Sequence, residues 1–218
     1  MTGEHVADLT IERRLWKKGF RAVAGIDEAG RGALFGPVVS AAVIFPPDIA
    51  DTSENGWVDA VDDSKRLSSA KRARLAEFIL STASAVGVGF SSPKEIDKQN
   101  IFWASMTAMK RALDELPLFP DFLLVDGFSL RGTTCPQMGI TGGDGRSTTI
   151  AAASILAKVL RDDFLLRMDS IFPDYGLGRH KGYATTKHYN ALERFGPTVL
   201  HRRSFRLVKN LEFEWVDG

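Results

Sequence analysis

Residues 25–37 read GIDEAGRGALFGP, which sets two adjacent carboxylates, Asp27 and Glu28, directly before a glycine-rich turn. Such turns commonly cradle phosphate with backbone amides, and carboxylates repel it. The conflict disappears if divalent cations lie between the acids and the phosphate, because Mg2+ takes hard oxygen ligands from a carboxylate or two, substrate phosphate and water. Two such ions about 4 Å apart can activate water and stabilise the leaving oxygen in phosphodiester cleavage. The site then needs acids from separate elements, since clustered like charges require cations between them. Asp126 closes the apolar run DFLLVDG as Asp27 closes AVAGID, and Asp144 in GGDGRS precedes the longest helical pattern. One Asp at a strand end or helix start is ordinarily a turn or cap residue. Four together, with a basic C-terminal third, point to metal-dependent phosphate chemistry.

Two phosphate-binding alternatives fail on spacing. A dinucleotide-binding turn needs its third glycine three positions after the second and a helix behind it. Here Gly36 comes one residue late and is followed by Pro37 and a β-branched run. A P-loop needs Gly-Lys-Ser/Thr, which the sequence lacks.

The elements that must position these acids are legible as alternating patterns. AVAGID (22–27), PVVSAAVIF (37–45), SAVGVGFSS (84–92) and DFLLVDG (121–127) read as strands. Residues 68–83 form a Ser-capped helical pattern with Ala73, Leu75, Ala76, Ile79 and Leu80 on its apolar face. A second helix, ended by Pro117, carries the stripe Ile101, Phe102, Met106, Met109 and Leu113, read as core. Residues 147–172 form the longest helix, capped by Ser147, and residues 183–196 the last, with Thr185 or Thr186 near its start and Gly196 past its end. The order β-β-α-β-α-β-α-α predicts an α/β fold, one mixed sheet with a helical tail. The expected division is an N-terminal segment 1–20, a catalytic domain 21–170 and a basic helical extension 171–218.

Composition bounds the function. The chain has 218 residues, 44% apolar and 25% charged, typical of a soluble globular protein. No run approaches the roughly 20 apolar residues of a transmembrane helix. Residues 1–20 carry acids and no apolar signal core, so the expected location is the cytoplasm, with no membrane partner. The single Cys135 excludes an internal disulfide and reads as a loop or packing residue. Net charge is +1, yet residues 179–209 hold eight Lys/Arg against one acid, Glu193, interleaved with His and aromatic residues. That mixture suits a surface that holds phosphates and stacks on sugars or bases. The four His residues are not at metal-ligand spacing; His180 and His201 are expected to contact phosphate or cap helices.

With these residues in hand, the chain resembles ribonuclease HII, the type 2 ribonuclease H, from about residue 20 to 206. The matching stretches, in family order, are GIDEAGRG, GPVVSAAV, DDSKRLS, LLVDG, GDGRS, AAASILAKVLRD, FPDYGLGRHKGYAT and GPTVLHRRSF. The resemblance implies a ribonuclease H-like sheet flanked by helices with a C-terminal helical extension. It implies that Asp27, Glu28, Asp126 and Asp144 are the catalytic and metal-binding acids, holding two Mg2+ or Mn2+ ions. It implies that Gly30-Arg31-Gly32 recognises the ribonucleotide 2′-OH and adjacent phosphate through backbone groups, and that Tyr183 stacks on the sugar at the RNA–DNA junction. The implied reaction is hydrolysis of the RNA strand of RNA–DNA hybrids. It includes cutting 5′ of a ribonucleotide embedded in duplex DNA, leaving 3′-hydroxyl and 5′-phosphate ends, as in ribonucleotide removal. Glycine lets the main chain approach a sugar closely, and the 2′-OH is the group that separates RNA from DNA.

The sequence departs from the family at two places and differs from the sister type at a third. Gly142 stands where the family usually has Lys, ALFG replaces the usual PLAG so that Phe35 is bulkier, and Arg31 with Asp144 distinguishes the chain from ribonuclease HIII, which has Gly-Thr-Gly and a Glu. Alternatives are a ribonuclease HIII-like enzyme, another ribonuclease H-superfamily nuclease such as a junction resolvase, or a hybrid-binding module without chemistry. A monomer is the default expectation.

Overall fold

The computed structural model describes residues 7–51 and 68–205. Strands β1 (Val23–Ala29), β2 (Val38–Ile44), β3 (Ala85–Ser91), β4 (Phe122–Asp126) and β5 (Gln137–Ile140) form one sheet in the order β3-β2-β1-β4-β5. The β1/β2 and β2/β3 pairs are antiparallel, while β1/β4 and β4/β5 are parallel. The sheet is therefore mixed, as the sequence predicts. The four expected strands are all present. β5 lies in the stretch between DFLLVDG and Ser147 that the pattern assigns no element, because its GlnMetGlyIle is only four residues long and interrupted by glycine.

Helices cover both faces. α4 (Thr148–Ile171), α2 (Ser69–Thr82) and α1 (Thr10–Lys17) pack on one, and α3 (Pro93–Asp114) on the other. Strand periodicity decides which residue meets which helix. Val23, Ala41, Val43 and Leu124 face Ile79, Ile150 and Ile155, whereas Ile26, Ala42, Ile44 and Val125 face Met106, Met109 and Ala112. Each fully buried Ile or Leu contributes about 1.5–3 kcal/mol of transfer free energy, so these two layers hold the sheet.

The stripe on α3 is core as expected, with Met106 and Met109 buried. On α2 the expectation holds for Leu75, Ala76 and Ile79, but Ala73 and Leu80 are exposed, because the helix meets the sheet along a narrower strip than its apolar content suggests. The caps are as read: Ser68, Ser147 and Thr185 each accept a first-turn amide, an interaction of about 1 kcal/mol apiece. Asn100, at φ 66°, kinks α3.

α1 has no counterpart among the expected elements. Its Glu12 is fully buried and accepts from Ser147 Oγ at 2.6 Å, Thr149 N at 3.0 Å and Thr149 Oγ1 at 2.8 Å. It thus satisfies one amide and two hydroxyls at the start of α4, where negative charge is also favoured by the helix dipole. A third core sits apart from the sheet: Leu34, Phe35, Leu165, Tyr175, Leu177, Ala191 and Leu192. α4 joins the two regions, its first half against the sheet and its second half under residues 34–36, with the short α5 (Leu177–His180) and α6 (Thr186–Phe195) completing this part.

Candidate active site

Register explains how acids 99 residues apart become neighbours. In the parallel β1/β4 pair Ile26 lies opposite Val125, the last pair of that ladder, so the following residues, Asp27 inside β1 and Asp126 at the end of β4, come side by side where the two strands part. α4 crosses behind them at close range: a Cβ on Gly25 would lie 2.3 Å from the Thr149 carbonyl carbon, so only glycine admits the helix there. That approach lets Ser154 hydrogen-bond the Asp27 carboxylate. Asp27 and Glu28 share a cleft of about 620 Å3 with Asp126, Gly30, Arg31, Gly32, Tyr183, Arg72, Ser154 and Lys158.

Each acid is engaged locally. Asp27 Oδ1 accepts from Glu28 N at 2.7 Å, Asp126 Oδ1 from Gly143 N at 2.6 Å, and Glu28 Oε1 from Arg31 Nη1 at 3.0 Å. Burial, then the charges of Glu28 and Asp126, hold the Asp27 carboxyl well above its ordinary value. Burial also raises Glu28; Arg31 pulls against it and Asp126 adds to it. The cluster therefore resists carrying full negative charge by itself.

Asp144 is buried in the 3-10 turn Gly143–Gly145, one residue past the amide that binds Asp126. It is close to Asp126 in the chain path but is not among the residues lining the cleft. Among the described residues no group of three or more His, Cys, Asp or Glu side chains is drawn up to coordinate an ion as it stands. The donor set is nonetheless all hard oxygen, the type that suits Mg2+ or Mn2+ rather than Zn2+ or Cu2+. A cation would also relieve the repulsion that raises Asp27. Gly142, in the position of the family lysine, has φ 62°, a left-handed conformation that suits glycine.

On the other wall, Gly30 has φ 99° and a Cβ there would fall 2.0 Å from Arg161 Nε, so only glycine fits. Tyr183 is tied to the loop by the Ala33–Tyr183 bridge and the Leu34 N to Gly182 O bond of 2.8 Å. Its ring packs under Arg161 at 5.3 Å and Lys158 at 5.4 Å. The structure thus brings Asp27, Glu28, Asp126, Gly30, Arg31, Gly32 and Tyr183 to one cleft. Arg72, Ser154 and Lys158 join them without having been singled out from sequence. Ser154 and Lys158 stand in AAASILAKVLRD, and their i, i+4 spacing on a helix after the fourth acid was the available signal.

Three expectations are corrected. His201 does not meet phosphate, being 2% exposed. Its Nδ1 accepts from Thr198 N at 2.8 Å, its Nε2 lies 3.1 Å from His188 Nε2, and His188 Nδ1 lies 3.0 Å from Tyr183 O. One tautomer set satisfies this row: His201 donates to His188, which donates to the Tyr183 carbonyl. Burial pushes His188 down to about 4 and His201 to about 3, so both are neutral. His180 is likewise tied inward, 2.7 Å from Tyr175 O and stacked 4.4 Å from His188. Third, Arg202 is fully buried and cannot belong to a phosphate-gripping surface. Arg206, Lys209 and residues 62–67 of DDSKRLS lie outside the described residues. The reading of Cys135 stands: its thiol is half-buried against Pro120 O, and burial raises it. No helix among the described residues is long and apolar enough to cross a membrane.

Comparison with known proteins identifies relatives of the chain and of its fold. Residues 24–208 match the family model described as Ribonuclease HII. The chain is 51% identical to Ribonuclease HII of Pelotomaculum thermopropionicum over 91% of this chain and 73% of that one. Among solved structures, RNase HII in its complex with PCNA from Archaeoglobus fulgidus superposes with a TM-score of 0.70 at 26% identity, covering 87% of this chain and 98% of that one. Bst-RNase HIII in complex with Mn2+ shares the fold at a TM-score of 0.62 and 18% identity, over 86% and 68%.

Proposed function

The chain belongs to the ribonuclease HII family, and from that premise we propose that it hydrolyses the RNA strand of RNA–DNA hybrids and cuts 5′ of single ribonucleotides in duplex DNA. The products would be 3′-hydroxyl and 5′-phosphate ends. The observation that carries this reading is the sharing of one cleft by Asp27, Glu28 and Asp126 with Gly30-Arg31-Gly32 and Tyr183. Phosphate chemistry and sugar recognition then act on neighbouring groups of one strand.

Asp27, Glu28 and Asp126, with Asp144 behind Asp126, would hold two divalent cations, Mg2+ or Mn2+. Bound there, such cations supply charge stabilisation to the phosphate and a nucleophile from water. The chain's own residues do the rest. Arg31 fixes Glu28 from the loop side, which couples the acid wall to the recognition wall. Gly30 and Gly32 let the backbone approach the 2′-OH with no Cβ between. Tyr183, its ring contacted by Arg161 and Lys158, would offer a flat face to the sugar without reading the base. Lys158 and Arg72 place positive charge on the cleft wall where a backbone phosphate would pass.

The test is cleavage of a duplex carrying one ribonucleotide against an all-DNA duplex, each with Mg2+ or Mn2+. The expected outcome is a single nick 5′ of the ribonucleotide and none in the control. Binding without cleavage, or cutting of both duplexes, overturns the reading.

A further inference from the structure

Arg161 and Arg202 are both fully buried, and among the described residues neither meets a carboxylate at ion-pair distance. Burial of an unpaired guanidinium is costly, so the hydrogen bonds each makes must offset that cost. Arg202 donates to Gly30 O at 2.7 Å, Arg31 O at 2.9 Å and Gly36 O at 3.0 Å. Arg161 donates to Phe35 O at 3.1 Å, Pro37 O at 3.1 Å and Lys181 O at 3.0 Å. Six carbonyls of the loop after β1 and the turn before Tyr183 are thus drawn toward two adjacent forks. Burial and the like charge of Arg161 bring the Arg202 guanidinium down to about 9, which leaves it charged at neutral pH.

The direction of these bonds matters. In a trans peptide the carbonyl and the amide point to opposite sides. With Gly30 O and Arg31 O turned in to Arg202, the amides of Arg31 and Gly32 are turned out, on the side of the cleft. Among the described residues neither amide donates to a protein group. A Gly-Arg-Gly loop left alone would sample many conformations. Short backbone bonds lock the frame further: Leu34 N to Gly182 O at 2.8 Å, Gly36 N to Leu200 O at 2.9 Å and Arg202 N to Leu34 O at 2.9 Å. Phe35 fills the space between, edge-on to His201 at 4.9 Å and to Phe172 at 6.0 Å.

We propose that Arg202, braced by Arg161, is the positioning residue for ribonucleotide selectivity: it turns the Arg31 and Gly32 amides outward as a pair of donors for a sugar hydroxyl or phosphate oxygen and fixes their distance to Tyr183. This rests on the recognition role given above to Gly30-Arg31-Gly32. On a single embedded ribonucleotide the loop has one 2′-OH to find, and a loosened loop misses it. On a long hybrid many registers offer one, so the loss is smaller.

Arg202→Lys and Arg161→Lys keep the charge but lose the fork that reaches three carbonyls. For folded variants, kcat/KM on the single-ribonucleotide duplex, divided by that on a long hybrid, is expected to fall about 10-fold or more relative to the unmodified protein. A merely structural role lowers both substrates equally through the folded fraction, so an unchanged ratio overturns the proposal. If neither variant folds, hydrogen exchange on the unmodified protein decides. The Leu34, Gly36 and Arg202 amides should open together, with protection alike within about threefold; independent opening overturns the proposal. Failure of the unmodified enzyme to prefer ribonucleotide over all-DNA duplex would instead sink the recognition role, and the exchange measurement would still report on the clamp.

Discussion

The acids on one wall of the cleft stand where two neighbouring strands part, Asp27 and Glu28 within β1 and Asp126 at the end of β4, and sheet register sets their spacing, whereas the loop on the other wall is held by arginines 124 to 172 residues away in the chain. The acid wall is electrostatically tense: burial and mutual repulsion raise Asp27, against which Ser154 and the Glu28 amide act, as Arg31 acts on Glu28. The wall proposed for recognition is held differently: the carbonyls of Gly30, Arg31, Phe35, Gly36 and Pro37 and the imidazoles of His188 and His201 are paired. Substitutions should therefore separate the two. On the acid wall activity is lost at little or no cost in stability. On the recognition wall stability and selectivity are lost together.

The largest expected effect is on the acid wall. Asp27→Asn should reduce cleavage by at least about 10³-fold, as for a group that acts as one unit with its neighbours. Its melting temperature in EDTA should equal or exceed that of the unmodified protein, because one of three crowded charges is gone. A loss of stability in EDTA would erase the contrast between the walls.

Next comes Arg202→Met, which takes the guanidinium donor from Arg31 O and Gly36 O and leaves Gly30 O with Ala33 N alone at 3.3 Å. At roughly 1 kcal/mol per lost group, the loss is about 2–3 kcal/mol, or roughly 4–12 °C in Tm for a domain of this size. Thermal melts check it, and an unchanged Tm would show that the fork is dispensable.

A smaller effect is a pH dependence of stability from the imidazole row. His188 and His201, at about 4 and 3 when folded, are depressed below their unfolded value near 6.5. Unfolding then takes up protons as pH falls below about 6.5, and stability drops progressively toward pH 4. Asp27, Glu28 and Glu12 are raised when folded and act in the opposite sense. The histidine part is therefore read as a difference: His201→Gln should flatten the decline between pH 6.5 and 4, and an identical slope would contradict the neutral row.

The smallest concerns Lys158, on the cleft wall but already paired with Asp162 at 2.7 Å. Lys158→Ala should weaken hybrid binding a few-fold, and lower the salt slope of log K by about one. No change in slope would remove Lys158 from the phosphate path.

The same contrast governs what could be read from sequence. The acids were legible because an apolar strand run closing on an Asp is a local pattern, although β1 itself continues past Asp27 to Ala29, and the resemblance in motif order then pointed to all four. Four strands and their helices followed from alternation and caps. β5 was hidden because GlnMetGlyIle is short and carries a glycine, and α1 by the lack of any matching motif around Glu12. Arg202 and His201 were misread as surface because their charge and composition are local while their partners are not. A guanidinium that ends on the carbonyls of Gly30, Arg31 and Gly36 leaves no trace in the residues beside it. The departure at Phe35 was visible in sequence, but its meaning was not: the ring is fully buried between the two pieces of chain that flank the loop.

Asp126→Asn provides the most direct test that chemistry and recognition are held separately. Binding and cleavage of a single-ribonucleotide duplex and its all-DNA control are measured on the same preparation with Mg2+. The account predicts that the variant keeps its preference for the ribonucleotide duplex and loses cleavage. Cleavage at the unmodified rate, or loss of the preference along with cleavage, would contradict it.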